Sequence, residues 1–422
     1  MIKTLFSISA LLASIALLLM GNSLQGTLLS LRAAREAFPT EVTGFVMAAY
    51  FAGFVLGSWF GPRLILAVGH IRVFAGLASV SSGVVLAHVL FISPITWGLM
   101  RVVTGFCFAG LYMVMESWLN DRADNTNRGQ VLSLYQVTNF GAVALGPLLL
   151  NLGDPRSFEL FLLVSILVSI SLVPVTMIPS PAPRAPEMSG MSFLRLVEIS
   201  PLGVAGAAMT GLAFGAFWAM GPVFGAEVGL DATGVSLLMS VGTLGSMAMQ
   251  YPLGILSDRI DRRFVITGTS IAGAAAAVIV ALVSGGSLWT LIVAIAAFGA
   301  LGLPIYSLCM AHANDFAQPR DLIRLSSGLL LANGLGATAG PIIAAAIMGA
   351  FGPGGLFFYI AGMLVILAGY AVWRVTRRAA LAPKERTHFA MVPPAGASAE
   401  LDRRVPETHA DEPETREPPP SG

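Results

Sequence analysis

Gly254-Ile255-Leu256-Ser257-Asp258-Arg259-Ile260-Asp261-Arg262-Arg263 packs five charged residues into its last six positions, between apolar runs at about 234 to 254 and 264 to 285. Each run is long enough to cross a hydrocarbon layer of about 30 Å, which takes roughly 20 residues of helix. A polar stretch this short, returning the chain from one run directly into the next, reads as the turn between two membrane-spanning helices. The same alternation extends outward in both directions. Apolar runs can be drawn at about 4 to 31, 42 to 60, 72 to 92, 95 to 118, 129 to 151, 158 to 178 and 201 to 223 before the pair, and at 288 to 311, 325 to 349 and 354 to 374 after it. Helices are the only sensible assignment, because lipid offers no partner to backbone polar groups and every run is too long for a barrel strand.

Composition agrees. Of 422 residues, 55% are hydrophobic and 11% charged, and the mean hydropathy is +0.78, well outside soluble usage. A net charge of +1 with no basic face argues against nucleic acid as a partner; the lipid bilayer is the partner that the composition requires. Cys107 and Cys309 both fall inside apolar runs and carry no disulfide or metal spacing, so they read as small packing residues, with no metal or cofactor expected. Lys3 ahead of the apolar run 5 to 20 imitates a signal peptide, but the apolar character continues to Leu31 with no small-x-small cleavage site. The run is therefore read as the first span.

Orientation follows from arginine. One set of connections holds Arg63 and Arg72, Arg122 and Arg128, Arg184 and Arg195, Arg259, Arg262 and Arg263, and Arg320 and Arg324, against Arg32, Arg35 and Arg156 on the other side. The positive-inside rule places the first set and both termini in the cytoplasm. The preference for Arg over Lys and the compact loops associate the chain with a bacterial cytoplasmic (inner) membrane.

The chain also repeats itself. At an offset of 194 residues Gly105 falls on Gly299, Asn120-Asp121 on Asn314-Asp315, Asn139 on Asn333, and Gly146-Pro147 on Gly340-Pro341. The expected organisation is a six-helix bundle over 1–178, a cytoplasmic linker over 179–200 rich in Pro and Ser, a second six-helix bundle over 201–374, and a disordered cytoplasmic tail over 375–422 whose mixed charge and proline cannot bury enough surface to order it. Two similar bundles rocking about a central site would give alternating access, which favours a carrier over a channel.

The stretch from Gly254 to Arg263 resembles the Gly-x-x-x-Asp-Arg-x-Gly-Arg-Arg loop signature of the major facilitator superfamily, with Asp261 in place of the second glycine. The corresponding first-half loop, Gly61 to Arg72, lacks the acid. Arg101-Val102-Val103-Thr104-Gly105 resembles the family's Arg-x-x-x-Gly signature, associated with proton coupling. Gly336-x-x-x-Gly340-Pro341 and the weaker Ala142-x-x-x-Gly146-Pro147 resemble its Gly-Pro signature. Phrases such as Tyr50 to Gly57, Met113 to Ser117 and Asn127-Arg128-Gly129 look like the poorly characterised YcaD-type branch. The resemblance implies an all-α membrane protein with twelve transmembrane helices in two six-helix pseudo-repeat bundles, the major facilitator fold, acting as a monomeric secondary transporter. The Gly-Pro signature tips the direction slightly towards export.

Several residues then stand out. A buried Arg101 costs about 2.5 to 3.5 kcal/mol on insertion scales, so it should face a cavity or partner, unless it snorkels to the nearby outer boundary. Glu116, about 22 Å further along the helix, is a candidate proton carrier or, more in keeping with its place near the cytoplasmic boundary, a gate residue paired with Arg72 or Arg128. Asp258, Arg259, Arg262 and Asp315 are expected at a cytoplasmic latch, although positive-inside anchoring accounts for Arg262 and Arg263 as well. The superfamily plan places segments one, four, seven and ten around the cavity. Asn22, Gln25 and Gly26 share a helical face, as do Phe214 and Trp218, and are candidates to contact a small-molecule solute by hydrogen bonds and stacking. Tyr50, Arg101, Gln250, Asn139 and Asn333 join them as candidates, with interhelical bonding the alternative role for the uncharged members. Gly146, Pro147, Gly336, Gly340 and Pro341 should let helices approach closely.

Three function classes remain in play. The first is a proton-coupled carrier of a small organic solute, exporting or taking up, with protons as the coupling ion. A membrane enzyme finds no His-Glu metal cluster, nucleophile elbow or phosphate loop to support it. A non-transporting sensor on the same fold would use its tail to meet a partner.

Overall fold

A computed structural model describes residues 2–122, 128–176, 192–318, 321–377, 387 and 389, with the side chains of 2–7, 122, 128 and 323 left aside. Arg184, Arg320, Arg378 and most of the linker and tail thus lie outside the described residues. Twelve helices among them are long and apolar enough to cross a membrane, and no strand occurs among them. The first half comprises α1 (Ile2–Arg35), α2 (Thr40–Val68), α3 (His70–Leu90), α4 (Pro94–Arg122), α5 (Arg128–Leu148), α6 (Glu159–Ile170) and α7 (Leu172–Thr176), the last two forming one span. A short α8 (Phe193–Ile199) precedes the second half: α9 (Pro201–Glu227), α10 (Ala232–Arg259), α11 (Arg262–Val283), α12 (Leu288–Leu301), α13 (Ile305–Asn314), α14 (Leu322–Phe351) and α15 (Gly355–Arg377).

Local chemistry sets many of the ends. Asp231 accepts from Gly234 N at 2.7 Å, Asp261 from Arg263 N at 3.0 Å and Ser287 from Thr290 N at 3.2 Å, each satisfying a donor that the first helical turn leaves free. Gly69 alone connects α2 to α3 at φ +92°, a conformation that a side chain would strain. Large apolar side chains such as Phe45, Trp59, Leu99, Trp289 and Phe351 are exposed on the outer surface. In water such a surface would aggregate, whereas in lipid it is the matching solvent.

The sequence repeat is a repeat of helix crossings. A β-carbon on Gly105 would strike Tyr50 O, and one on Gly299 would strike Gly242 O; Gly53 meets Val102 O, and Gly245 meets Ala296 O at 2.5 Å. The α4 residues thus lie 194 positions before their α12 counterparts, and the α2 residues 192 before those of α10. The crossing of α1 and α5 recurs in the same way: a β-carbon on Gly146 would lie 2.7 Å from Met20 O, and one on Gly340 would strike Leu212 O. Gly336 packs on Ala208 and Leu212. Backbone-to-backbone approach of this kind needs glycine, and lipid-embedded helices rely on it because burying apolar surface gains them little. Pro147 and Pro341 sit inside their helices, and after Pro147 the chain tightens into a 3-10 turn at Leu149–Leu152.

Contacts between the two halves gather on the face opposite the chain termini. Ser30 Oγ donates to Ala219 O at 2.9 Å, Thr40 Oγ1 to Glu227 at 2.7 Å, and Asn151 Nδ2 to Ser236 at 3.1 Å, while Ser240 Oγ donates to Ala144 O at 2.6 Å. Gly44 of α2 lets Pro341 O of α14 come close enough that a β-carbon there would lie 2.9 Å from it.

Three features go beyond what the apolar pattern shows. Within the tenth span, Leu288–Asn314, α12 ends at Leu301 and α13 starts at Ile305, because Pro304 cannot continue the ladder through Gly302 and Leu303. The linker contains a helix, α8, capped by Ser192 accepting from Arg195 N at 3.3 Å and packed by Leu196 against Gly328. At the C-terminal end α15 continues to Arg377, and Thr387 and Phe389 make the specific contacts described below.

Candidate functional site: a cavity between the bundles and two polar clusters

A cavity of about 680 Å³, its open mouth included, lies between the halves. The second half supplies most of its wall. Helix α9 contributes Thr210, Phe214 and Trp218, α10 contributes Thr243, Ser246 and Gln250, and α14 contributes Leu330, Asn333 and Ala337. Leu303, Tyr306 and Ser307 come from the break between α12 and α13, and the first half adds only the rings of Phe51 and Phe140. Residues spaced three and four apart share a helix face, which is why Thr210, Phe214 and Trp218 reach the same space, as do Thr243, Ser246 and Gln250. The broken span carries irregular backbone to membrane depth where it lines a cavity, a place where lipid does not contact it.

Four of the residues singled out in the sequence meet here: Phe214, Trp218, Gln250 and Asn333. Asn333 also joins helices, its amide donating to Ala207 O at 3.0 Å and Thr210 Oγ1 at 3.3 Å. Asn22, Tyr50 and Arg101 do not line this cavity but form a cluster of their own within the first bundle. Asn22 Nδ2 donates to Tyr50 Oη at 2.9 Å and to Tyr112 Oη at 3.4 Å, and the Arg101 guanidinium sits 4.4 Å above the Tyr50 ring. Arg101 is buried at 4% exposure, with Nε and Nη1 lacking hydrogen-bond partners, so it does not snorkel to the boundary. Gln25, one turn from Asn22 on α1, is fully buried, with neither amide atom bonded. Asn139 is also fully buried.

Further down α4, one turn past Tyr112, Glu116 is buried at 3% exposure and accepts from Tyr135 Oη at 2.8 Å. Its expected partner Arg72 is exposed, and the side chain of Arg128 lies outside the described residues. Tyr135 escaped the sequence reading because it falls inside an apolar run, where a tyrosine is as often a packing ring as a hydrogen-bonding one.

The second cluster lies at the termini face around Arg262, which at 1% exposure is a hub and not a surface anchor. Its guanidinium donates to Asp258 at 2.7 Å, Asp315 at 2.8 Å and Ala311 O at 2.6 Å. Planar, forked donors suit a guanidinium to bridging two carboxylates. Arg263 pairs with Asp261 at 2.6 Å, and Arg259 is exposed. The tail closes over the hub. Thr387 N and Oγ1 donate to Asp315 at 2.9 and 2.8 Å, Phe389 N donates to Asp258 at 3.0 Å, Thr387 O accepts from Arg262, and the Phe389 ring covers Gly254. Nothing in the tail's composition signals this contact.

Other proteins share this architecture. Uncharacterised MFS-type transporters called YcaD are 25% identical over 360 residues in Salmonella newport, covering 84% of this chain and 92% of theirs. The Salmonella paratyphi B form is 27% identical over 363 residues, with the same coverage of each. A crystal structure of a mutant of the nucleoside transporter NupG superposes with a TM-score of 0.72 at 14% identity, over 88% of this chain and all of that one. The Major Facilitator Superfamily model matches residues 5–200 and 203–406, the same two halves whose crossings repeat. With twelve spans, duplicated bundles and a charged loop held by Arg262, this multi-pass integral membrane protein belongs to the major facilitator superfamily of secondary transporters.

Proposed function

We propose that the chain moves a small organic solute across a bacterial cytoplasmic membrane by alternating access, coupled to protons, with both termini in the cytoplasm. The observation that carries this reading is the cavity between two repeat-related bundles that meet on the face opposite the termini. With the termini cytoplasmic, that closed face is the external one, and the conformation is inward-facing. Rocking the bundles about the cavity would exchange the contacts at Ser30, Thr40 and Asn151 for contacts on the cytoplasmic side.

Coupling is supported by the polar series in the first bundle: Arg101, Tyr50, Asn22 and Tyr112 lead towards Glu116, a buried carboxyl able to gain or lose a proton. A potential of about 150 mV supplies about 3.5 kcal/mol per charge moved, enough for a gradient of roughly several hundredfold, so one proton per solute suffices. The Arg262 hub serves as the latch on the cytoplasmic side of the second bundle. The segment-five Ala142-x-x-x-Gly146-Pro147 form of the Gly-Pro signature slightly favours export over uptake.

The test is reconstitution into liposomes with a panel of radiolabelled solutes, with imposed pH gradients and potentials. Solute accumulation that follows the proton gradient supports the reading. Movement indifferent to both gradients removes coupling, and no movement in any member of a broad panel removes transport.

A further inference from the structure

We propose that the cavity takes an uncharged solute bearing an aromatic or heteroaromatic ring and at least two N–H or O–H donors; this rests on reading the chain as a solute carrier and names the class of its cargo.

Four polar side chains of the wall offer acceptors to a ligand. Thr210 Oγ1 donates to Gly206 O at 2.7 Å and Thr243 Oγ1 to Met239 O at 2.9 Å, which leaves both oxygens with lone pairs and no proton to offer. The amide nitrogen of Asn333 is likewise engaged by Ala207 O and Thr210, so its free capacity is the carbonyl oxygen. Gln250 Oε1 is buried, in a residue 2% exposed, and has no hydrogen-bond partner. A buried acceptor left unpaired is costly, and a ligand donor relieves that cost. Tyr306 Oη is also buried and unpartnered and is the wall's phenolic donor for one acceptor on the ligand.

Charge is selected against in both signs. None of the residues lining the cavity is ionised at neutral pH, so an ionic ligand would enter a low-dielectric space with no counter-charge on its wall. An anion would also meet the acceptor oxygens of Asn333 and Gln250. A cation would find no lining carboxylate, and Arg101, stacked on the Tyr50 ring beside the lining Phe51, is itself positive. The rings of Phe214 and Trp218, one turn apart on α9, line the same space as Phe51 and Phe140, which suits a flat apolar body among them.

The experiment uses the full-length protein in lipid nanodiscs and a matched set of probes on one ring system: indole-3-acetamide (neutral), indole-3-acetate (anionic), tryptamine (cationic), and the amide methylated at every N–H. Isothermal titration should give the neutral amide at least about tenfold tighter binding than either ion, and about tenfold tighter than its methylated form, the range expected when hydrogen bonds to a buried acceptor are lost. Gln250→Met, of similar volume without the acceptor, should weaken the amide and leave the methylated analogue unchanged. Gln250→Glu should turn preference towards tryptamine, and the unfolding midpoint of each variant confirms that it is folded. Equal or tighter binding of either ion, equal binding of the methylated amide, or no binding of any of the four overturns the proposal. A liposome flux assay separates the two claims. Selective amide binding without flux removes the carrier and keeps the ligand class, whereas saturable flux of an ionic solute through the cavity keeps the carrier and overturns the class.

Discussion

Replacing Gly245 by alanine tests whether the helix crossings, and not merely the helices, are right. A β-carbon there would stand 2.5 Å from Ala296 O and 3.1 Å from Ala300 N of α12. An ordinary carbon-to-oxygen approach is about 3.3 Å, so α10 and α12 must part by about 0.8 Å, or the backbone must bend. Overpacking of this order costs about 1 to 3 kcal/mol. Alanine also favours a helix over glycine by about 1 kcal/mol, which would mask part of the loss. Gly76 on α3 supplies the control, because a β-carbon there meets nothing within 4 Å. Gly76→Ala gains the same propensity without the clash, so the difference between the two variants isolates the steric term. The expected result, from unfolding the purified protein in detergent and following tryptophan fluorescence, is that Gly245→Ala lies about 1 to 3 kcal/mol below Gly76→Ala. Gly53→Ala, which strikes Val102 O at the equivalent crossing in the first bundle, should fall on the same side. If Gly245→Ala and Gly76→Ala unfold together, α10 and α12 do not cross at this point and the repeated-crossing argument fails.

Other predictions follow from the two clusters. Arg262→Ala removes the buried counter-charge of Asp315, whose side chain is 4% exposed, and should cost about 3 kcal/mol, whereas Arg259→Ala on the exposed neighbour should stay within about 0.5 kcal/mol of the parent; thermal or denaturant unfolding of the pair reads the contrast. Truncation after Arg377 removes the donors of Thr387 and Phe389 from Asp315 and Asp258 and should speed amide exchange over 254–263 with little change in the far-side helix ends; unchanged exchange there would mean that the tail does not rest on the hub. Glu116→Gln keeps the hydrogen bond from Tyr135 but cannot ionise, so it should abolish accumulation driven by a pH gradient while sparing downhill solute exchange in liposomes. Accumulation that survives in Glu116→Gln places the coupling group elsewhere.

Much of the fold was legible because lipid imposes a one-dimensional rule: a crossing needs about 20 apolar residues and must satisfy its own backbone. Run lengths therefore gave the spans, and Gly105, Asn139, Gly146 and their partners 194 residues later gave the repeat. The candidate site was legible only in part. Phe214, Trp218, Gln250 and Asn333 meet at the cavity, whereas Asn22, Tyr50 and Arg101 cluster within the first bundle. Facing relative to a central axis depends on how helices cross, and hydropathy carries no information about the crossing.

The sequence by itself determined the twelve spans, the duplication and the charged loop at Asp258 to Arg263, since run length, residue identity at fixed offset and charge are all properties of the linear chain. Tertiary structure alone decided that Arg262 is a buried hub bridging Asp258 and Asp315, that Thr387 and Phe389 close over it, and that the second bundle supplies nearly all the polar wall of the cavity. These outcomes join residues that are tens of positions apart or more, and they depend on glycine contacts setting each helix's rotation and depth, which no local pattern encodes.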